Sequence, residues 1–327
     1  MIFEFSIILV IISLGFLSFG SYIAWWYPLE LISHFRIQYL WVSIIITGLL
    51  LLFWWRKIIK KKSLFVTLFC LSLMFISLNA VEIIPWYFSH SQQIDQKTEN
   101  QVKLLSFNVN IENRQYQNVL NVVQEKNPDI ALFLEVDDIW VNKLKIGLNE
   151  RLPYSFKTPV GRSVLFSRLP LKDVQGDILK SNRHNIFATI EINKKPIQFI
   201  GTHPLVPIQR NTLRIRNQQL EVLARFVKKQ TKPVIVLGDF NLTPWSPYYR
   251  KFINKTGLHN TSLGYGTLPT WPHPTTYLKL PKYITPLMSI PIDHCFVSQD
   301  FKVANYQVGK NANSDHASIV TDLVLSE

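Results

Sequence analysis

Residues 233–241 read PVIVLGDFN, four consecutive apolar side chains from Val234 to Leu237 closed by Gly238, Asp239 and Asn241. A short unbroken apolar run bounded by proline and glycine is the pattern of a β-strand buried on both faces. Its polar end delivers a carboxylate and an amide to the mouth of an apolar core. The same design recurs on either side. Upstream, PIQFIGTHP (196–204) is a strand ending in His203, and RNTLRIRNQQLEVLARFVKK (210–229) reads as an amphipathic helix. KLLSFNVN (103–110) carries Asn108 and Asn110, and QYQNVLNVVQEKNPD (115–129) is a helix with Val119, Leu120, Val122 and Val123 as its apolar side. DIALFLEV (129–136) is a strand bearing Glu135, and SVLFSRLP (163–170) and IFATIEI (186–192) add two more. Downstream, PIDHCFVS (291–298) and SDHASIVTDLVL (314–325) present Asp293, Asp315 and His316.

Taken singly, an Asp or Asn just after a strand is a turn former or a helix cap. Turn chemistry does not explain an Asn, a Glu, a His, an Asp-x-Asn, an Asp and an Asp-His all attached to hydrophobic strand segments. Buried strands seldom carry carboxylates unless these are paired or hold a metal. Carboxylates with an amide and no thiolates are ligands for a hard cation such as Mg2+ or Mn2+, and the adjacent histidines offer proton transfer. Metal-assisted attack of water on a phosphoester fits that inventory.

The series SFNVN (106–110), LEV (134–136), GTHP (201–204), LGDFN (237–241), IDH (292–294) and SDH (314–316), in that order, resembles the endonuclease/exonuclease/phosphatase family. The resemblance covers about residues 102–325 and implies a DNase I-like, four-layer α/β sandwich, with two central mixed β-sheets and helices outside. It also implies a phosphoester hydrolase, with a phosphodiesterase or nuclease as the leading reading and nucleic acid as a candidate substrate. The alternatives are an enzyme on a lipid head group or small phosphorylated molecule, and a non-catalytic binding protein. By motif, Glu135 is the implied principal Mg2+ ligand, with Asn108 beside it and Asp315 as a second acidic group near the metal. Asp239 and Asn241 match the residues that position the nucleophilic water and contact the phosphate. His316 matches the histidine that assists hydrolysis, Asp293 the carboxylate that orients it, and His203 a transition-state-stabilising histidine. Two positions depart from the pattern: Asn110 stands where several DNA-repair members carry Asp, and Leu134 where Gln is common before the glutamate.

The N-terminal part has a different character. Of 327 residues, 47% are hydrophobic and only 17% charged, and the excess of apolar residues lies before position 88. Phe5–Leu29, Ile37–Trp55 and Ser63–Val81 are uncharged for 25, 19 and 19 residues, each long enough to cross a bilayer. The expected organisation is therefore a region of three transmembrane helices over 1–88, a polar linker over 89–101 and a catalytic domain over 102–327. The loop RKIIKKK (56–62) between the second and third spans is strongly basic, so it and the N-terminus are expected in the cytoplasm. That makes the protein integral to the cell's inner membrane, with the lipid bilayer as a partner and the catalytic domain periplasmic or extracellular. Six basic and four acidic residues precede position 97, leaving 29 and 18 in the remainder, a net charge of +11 that suits a polyanion.

The remaining residues carry less. Two cysteines, Cys70 and Cys295, exclude a disulfide framework or a four-thiolate zinc site, and a cysteine on an apolar strand is a small buried hydrophobe. Arg210, Arg214 and Arg216 read as the charged outer face of their helix, Trp271 in GTLPTWP (266–272) as core packing, and His184 and His294 as surface or packed histidines.

Overall fold

The computed structural model describes residues 2–88, 100–176, 179, 185–277 and 281–326. The region from Gln101 onward is built on two six-stranded mixed sheets. In chain order its elements are β1 Gln101–Asn108, α5 Tyr116–Lys126, β2 Ile130–Leu134, α6 Asp138–Leu148, β3 Tyr154–Lys157, β4 Ser163–Ser167 and β5 Lys172–Gly176. These are followed by β6 Ile186–Ile192, β7 Lys195–Thr202, α7 Arg210–Lys228, β8 Val234–Asp239, α8 Pro247–Thr256 and β9 His259–Asn260. The chain closes with α9 Thr285–Met288, β10 Asp293–Val297, β11 Phe301–Val308 and β12 Ile319–Leu325. One sheet runs β11-β12-β1-β2-β4-β3 and the other β5-β6-β7-β8-β10-β9.

The period-two alternation of strand side chains explains the layering. On β1, Leu104 points into the space between the sheets, while Leu105 and Phe107 point out to meet α5 and α6. On β8, Ile235 and Leu237 face inward and Val234 and Val236 face α7 and α8. Leu104, Leu132, Leu165, Ile197, Phe199, Ile235 and Leu237 form the middle of the inter-sheet core with essentially no exposure. Each such side chain contributes about 1.5–3 kcal/mol of hydrophobic stabilisation. Cys295 belongs to this core, and burial pushes its thiol up to about 12, so it is packing material. The result is helices, sheet, sheet, helices, the four-layer sandwich expected from the motif series.

In each sheet two central strands run parallel, β1 beside β2 and β7 beside β8, joined by α5 and α7 respectively. Their carboxyl ends therefore emerge at the same rim. β10 is antiparallel to β8 with Asp293 opposite Asp239, and β12 is antiparallel to β1 with Ile319 opposite Ser106, so their amino ends reach that rim too. Gly238 is required where β8 closes on β7: at φ +150° an added Cβ would lie 1.9 Å from the Thr202 carbonyl oxygen.

The N-terminal helices are α1 Ile2–Gly20, α2 Leu29–Ser33, α3 Arg36–Trp55 and α4 Lys62–Ile83. α1, α3 and α4 pack through a separate apolar cluster that includes Ile11, Leu50 and Phe75. Among the described residues two helical stretches are long and apolar enough to cross a membrane, Arg36–Trp55 and Lys62–Tyr87, while Phe5–Gly20 is apolar but shorter. The first uncharged run is thus not one helix to Leu29. α1 stops at Gly20, the chain turns, and the five-residue α2 follows after Pro28. Hydropathy counts side chains and overlooks these backbone breakers. Of the expected linker, residues 89–99 lie outside the described residues.

Candidate active site

Six strand ends bring their polar residues together at the shared rim. Asn108 closes β1 and lies centrally: its Nδ2 donates to Glu135 Oε1 at 2.9 Å and to Asp239 Oδ2 at 3.2 Å, and lies 3.4 Å from His316 Nε2. Glu135 follows β2 and takes φ +57°, a left-handed conformation that costs a non-glycine residue energy and that marks functional sites. Asn241, at φ +52°, folds back so that its backbone N–H donates to Asp239 Oδ1 at 2.9 Å. Its side-chain amide donates to the Pro204 carbonyl at 3.0 Å, joining the ends of β7 and β8.

The histidines stand across from the carboxylates. His316 Nδ1 pairs with Asp293 Oδ2 at 2.9 Å, and its Nε2 faces Asp239 Oδ2 at 3.7 Å. His203 Nε2 lies 3.4 Å from Asp239 Oδ2 and 3.8 Å from Glu135 Oε1. Burial works against protonation of both rings, but neighbouring carboxylates outweigh it. Asp293 and Asp239 raise His316 to about 10, and the hydrogen bond and charge of Asp239, with Glu135, raise His203. Burial opposes ionisation of Asp239 as well, yet the two histidines hold its carboxyl down at about 2. Burial pushes Asp293 up. The rim is a salt-like network with Asp239 as its anionic centre.

Asp315 completes the arrangement. Its Oδ1 accepts from Asn110 Nδ2 at 2.7 Å and its Oδ2 from Trp271 Nε1 at 3.0 Å. All eight sequence-predicted site residues are therefore gathered at one rim. Asn110, in place of an acidic residue, supplies an amide that holds Asp315. Trp271 is half-buried at the cleft wall and bonded to Asp315, so it is a site residue and not core packing. His294 is packed as expected, between Asn260 Nδ2 and the Leu242 carbonyl, and His184 lies outside the described residues.

Two ligand sets can be drawn for a cation. Asp239, Asp293 and His316 each place a donor atom within 4.8 Å of the others. These three already satisfy one another, however, through the His316–Asp293 bond and the contact between His316 and Asp239. Glu135, more open than the others, and Asp315 add carboxylate oxygens beside the amide of Asn108. That donor chemistry fits a hard divalent ion.

The cleft at this rim has a volume of about 310 Å³, and one wall comes from the N-terminal region: Leu31, His34 and Phe35 line it together with Glu135, Asp239 and His316. The wall is fixed by polar contacts that span the chain. His34 Nδ1 lies 2.9 Å from Thr243 Oγ1, and Trp245 Nε1 donates to the His34 carbonyl at 2.8 Å. Arg216, expected on an outer face, is instead fully buried. Its Nη2 donates to Glu30 Oε1 and its Nη1 to the Asn241 carbonyl at 2.8 Å. Contacts over such sequence separations leave no local signal; only the single charge, Glu30, in a long uncharged stretch marked the place.

The model of the Endonuclease/Exonuclease/phosphatase family matches residues 105–316, well over half of the chain. A search of curated protein sequences finds no match. Among solved structures, D. rerio TDP2 complexed with single strand DNA product is similar with a TM-score of 0.56 at 14% identity, covering 68% of this chain and 98% of that one. An endonuclease/exonuclease/phosphatase from Bacteroides vulgatus gives 0.53 at 17% identity, covering 70% of this chain and all of that one. Another from Beutenbergia cavernae gives 0.53 at 16% identity, covering 69% and 72%. At these identities the likeness is one of fold.

Proposed function

The chain belongs to the endonuclease/exonuclease/phosphatase family, and we propose that it is a divalent-metal-dependent phosphoester hydrolase. The observation that carries this reading is the Asp239-centred network, in which Asn108, Asn241, His203 and His316 converge on one carboxylate and Asp293 holds His316 from behind. Glu135, Asn108 and Asp315 would hold Mg2+ or Mn2+, which supplies Lewis acidity and offsets charge developing on phosphate oxygens. Asp239, ionised and steadied by the Asn241 N–H, orients the attacking water and accepts its proton. As the water oxygen bonds to phosphorus, the ester P–O bond breaks and the leaving alkoxide takes up the proton that Asp239 accepted from the water, which returns Asp239 to its ionised form. His203 and His316, held protonated by their carboxylate neighbours, offer N–H donors to the non-bridging oxygens, and Asp293 fixes the ring of His316.

A phosphodiester is the proposed class. The charge of +11 on the chain from position 97 favours nucleic acid, but among the described residues the cleft itself is lined by no lysine or arginine. The helices support a membrane anchor. The basic turn between α3 and α4 lies at the opposite end of these helices from the docked α2, which supports a cytoplasmic basic loop and an outward catalytic domain.

The test is hydrolysis of bis(p-nitrophenyl) phosphate by the purified full chain with Mg2+ or Mn2+. Turnover that chelation removes and metal restores, and that is lost in Asp239→Ala, is the expected result. Metal-independent turnover, or activity retained in Asp239→Ala, would overturn it.

A further inference from the structure

The cleft joins two unlike surfaces. At its floor stand Asp239 and His316, and its walls are Leu31, Phe35, Val206, Ile208, Ile290 and Ile292. Val206 and Ile208 remain 44% and 66% exposed at the lip, where an apolar side chain in water gains nothing unless something covers it. Both lips are tied to the N-terminal region. Tyr27 Oη donates to the Ile208 carbonyl at 3.4 Å, and Gln38 Nε2, in the first turn of α3, donates to the carbonyls of Leu287 and Ser289 at 3.2 Å each. Leu287 and Met288 on that second lip are 70% and 48% exposed, and Trp25 and Trp26 beside α2 are 51% and 59% exposed. Exposed tryptophans next to long apolar helices are the composition of a membrane interface. The apolar walls of the cleft thus reach from α2 and the start of α3 to the hydrolytic residues, and no lysine or arginine lines it among the described residues.

We propose that the substrate is an amphiphilic phosphoester, a lipid whose phosphate sits at the Asp239 network while the first part of its apolar chain lies between Leu31, Phe35, Val206 and Ile292. This deepens the phosphoester-hydrolase reading and rests on it. Leu31 and Phe35 are specificity residues: they bind the chain and take no part in bond breaking. On this reading the lipid enters head group first, with its apolar chain following along Leu31 and Phe35 on the side of the N-terminal helices.

The experiment uses the full chain held in amphipol and a series of alkyl p-nitrophenyl phosphodiesters from methyl to octyl, kept at monomeric concentrations. The leaving group is constant, so only the alkyl chain varies. The expected result is a kcat/KM that rises with chain length, by up to about fourfold per methylene that becomes buried. In Leu31→Asn and in Phe35→Asn the slope of that series flattens. A flat series in the unaltered chain would overturn the proposal while leaving the hydrolase reading intact. So would a single-stranded DNA oligonucleotide cleaved with higher kcat/KM than the octyl ester. No turnover of any ester would overturn both.

Discussion

Arg216 on α7 and Glu30 on α2, 186 residues apart, form an ion pair of 2.5 Å in which both side chains are fully buried. His34 Nε2 at 3.3 Å and Ser246 Oγ at 3.1 Å share the same carboxylate oxygen. Removing one partner of a buried pair leaves an uncompensated charge, so Glu30→Ala is expected to destabilise the chain by about 3–5 kcal/mol. Replacing both residues, as in Glu30→Met with Arg216→Met, is expected to recover most of that loss. A double-mutant cycle on thermal unfolding measures the coupling; additive losses would mean that the pair is not a unit.

Asp293 Oδ2 meets His316 Nδ1 at 2.9 Å, and in the proposed mechanism it orients that ring without touching the reacting atoms. Its backbone N–H is held independently by Thr270 Oγ1 at 3.2 Å, so Asp293→Asn keeps the strand in place. The expected effect is a fall in kcat of about 10² or more, with unfolding little changed. Steady-state kinetics beside a melting curve decides it.

Glu135 sits in the left-handed region and shares His203 and Asn108 with the Asp239 carboxylate. Glycine relieves the backbone strain and removes a like charge. Glu135→Gly is therefore expected to stabilise the chain by about 1 kcal/mol while abolishing metal-dependent turnover. Gain of stability with loss of activity is the signature of a residue retained for function.

Glu221 on α7 gathers Lys255 and Lys251 of α8 and Arg225 of its own helix. Chiefly the hydrogen bond from Lys255, against some burial, lowers its carboxyl from 4.5 to about 2. A depressed carboxylate stabilises the fold above its unfolded value and loses that contribution as pH falls through the folded value. The contribution, about 1 kcal/mol after solvent screening, is thus lost between pH 4.5 and 2. Glu221→Gln is expected to flatten that part of the stability curve and to leave the curve above pH 6 unchanged in shape. Denaturant midpoints across the range measure it.

The strand ends were legible because each put a polar residue at the end of an apolar run, where a core has no other use for it. That logic located Asn108, Glu135, His203, Asp239, Asn241, Asp293, Asp315 and His316. It missed the edge strands β3, β5 and β11, whose sequences mix polar and apolar residues, and the helices α6 and α8. It misjudged Trp271, since only the fold shows that the indole N–H meets Asp315. It also took Arg216 for a surface charge, because helical periodicity cannot distinguish a solvated arginine from one that a distant glutamate neutralises. Hydropathy located the apolar helices but counted three spans where, among the described residues, two are long enough, because it overlooked the break after Gly20.

The docking of α2 has a consequence for heredity. A chain beginning after the helices would keep Arg216 without its counter-charge and leave one side of the cleft open. The apolar helices and the two-sheet region are therefore not interchangeable modules: recombination that joined these sheets to another protein's helices would break a pairing that neither part can restore alone. Substitutions at Glu30, His34, Arg216 and Thr243 should be inherited as a linked set, and drift in one half is constrained by the other.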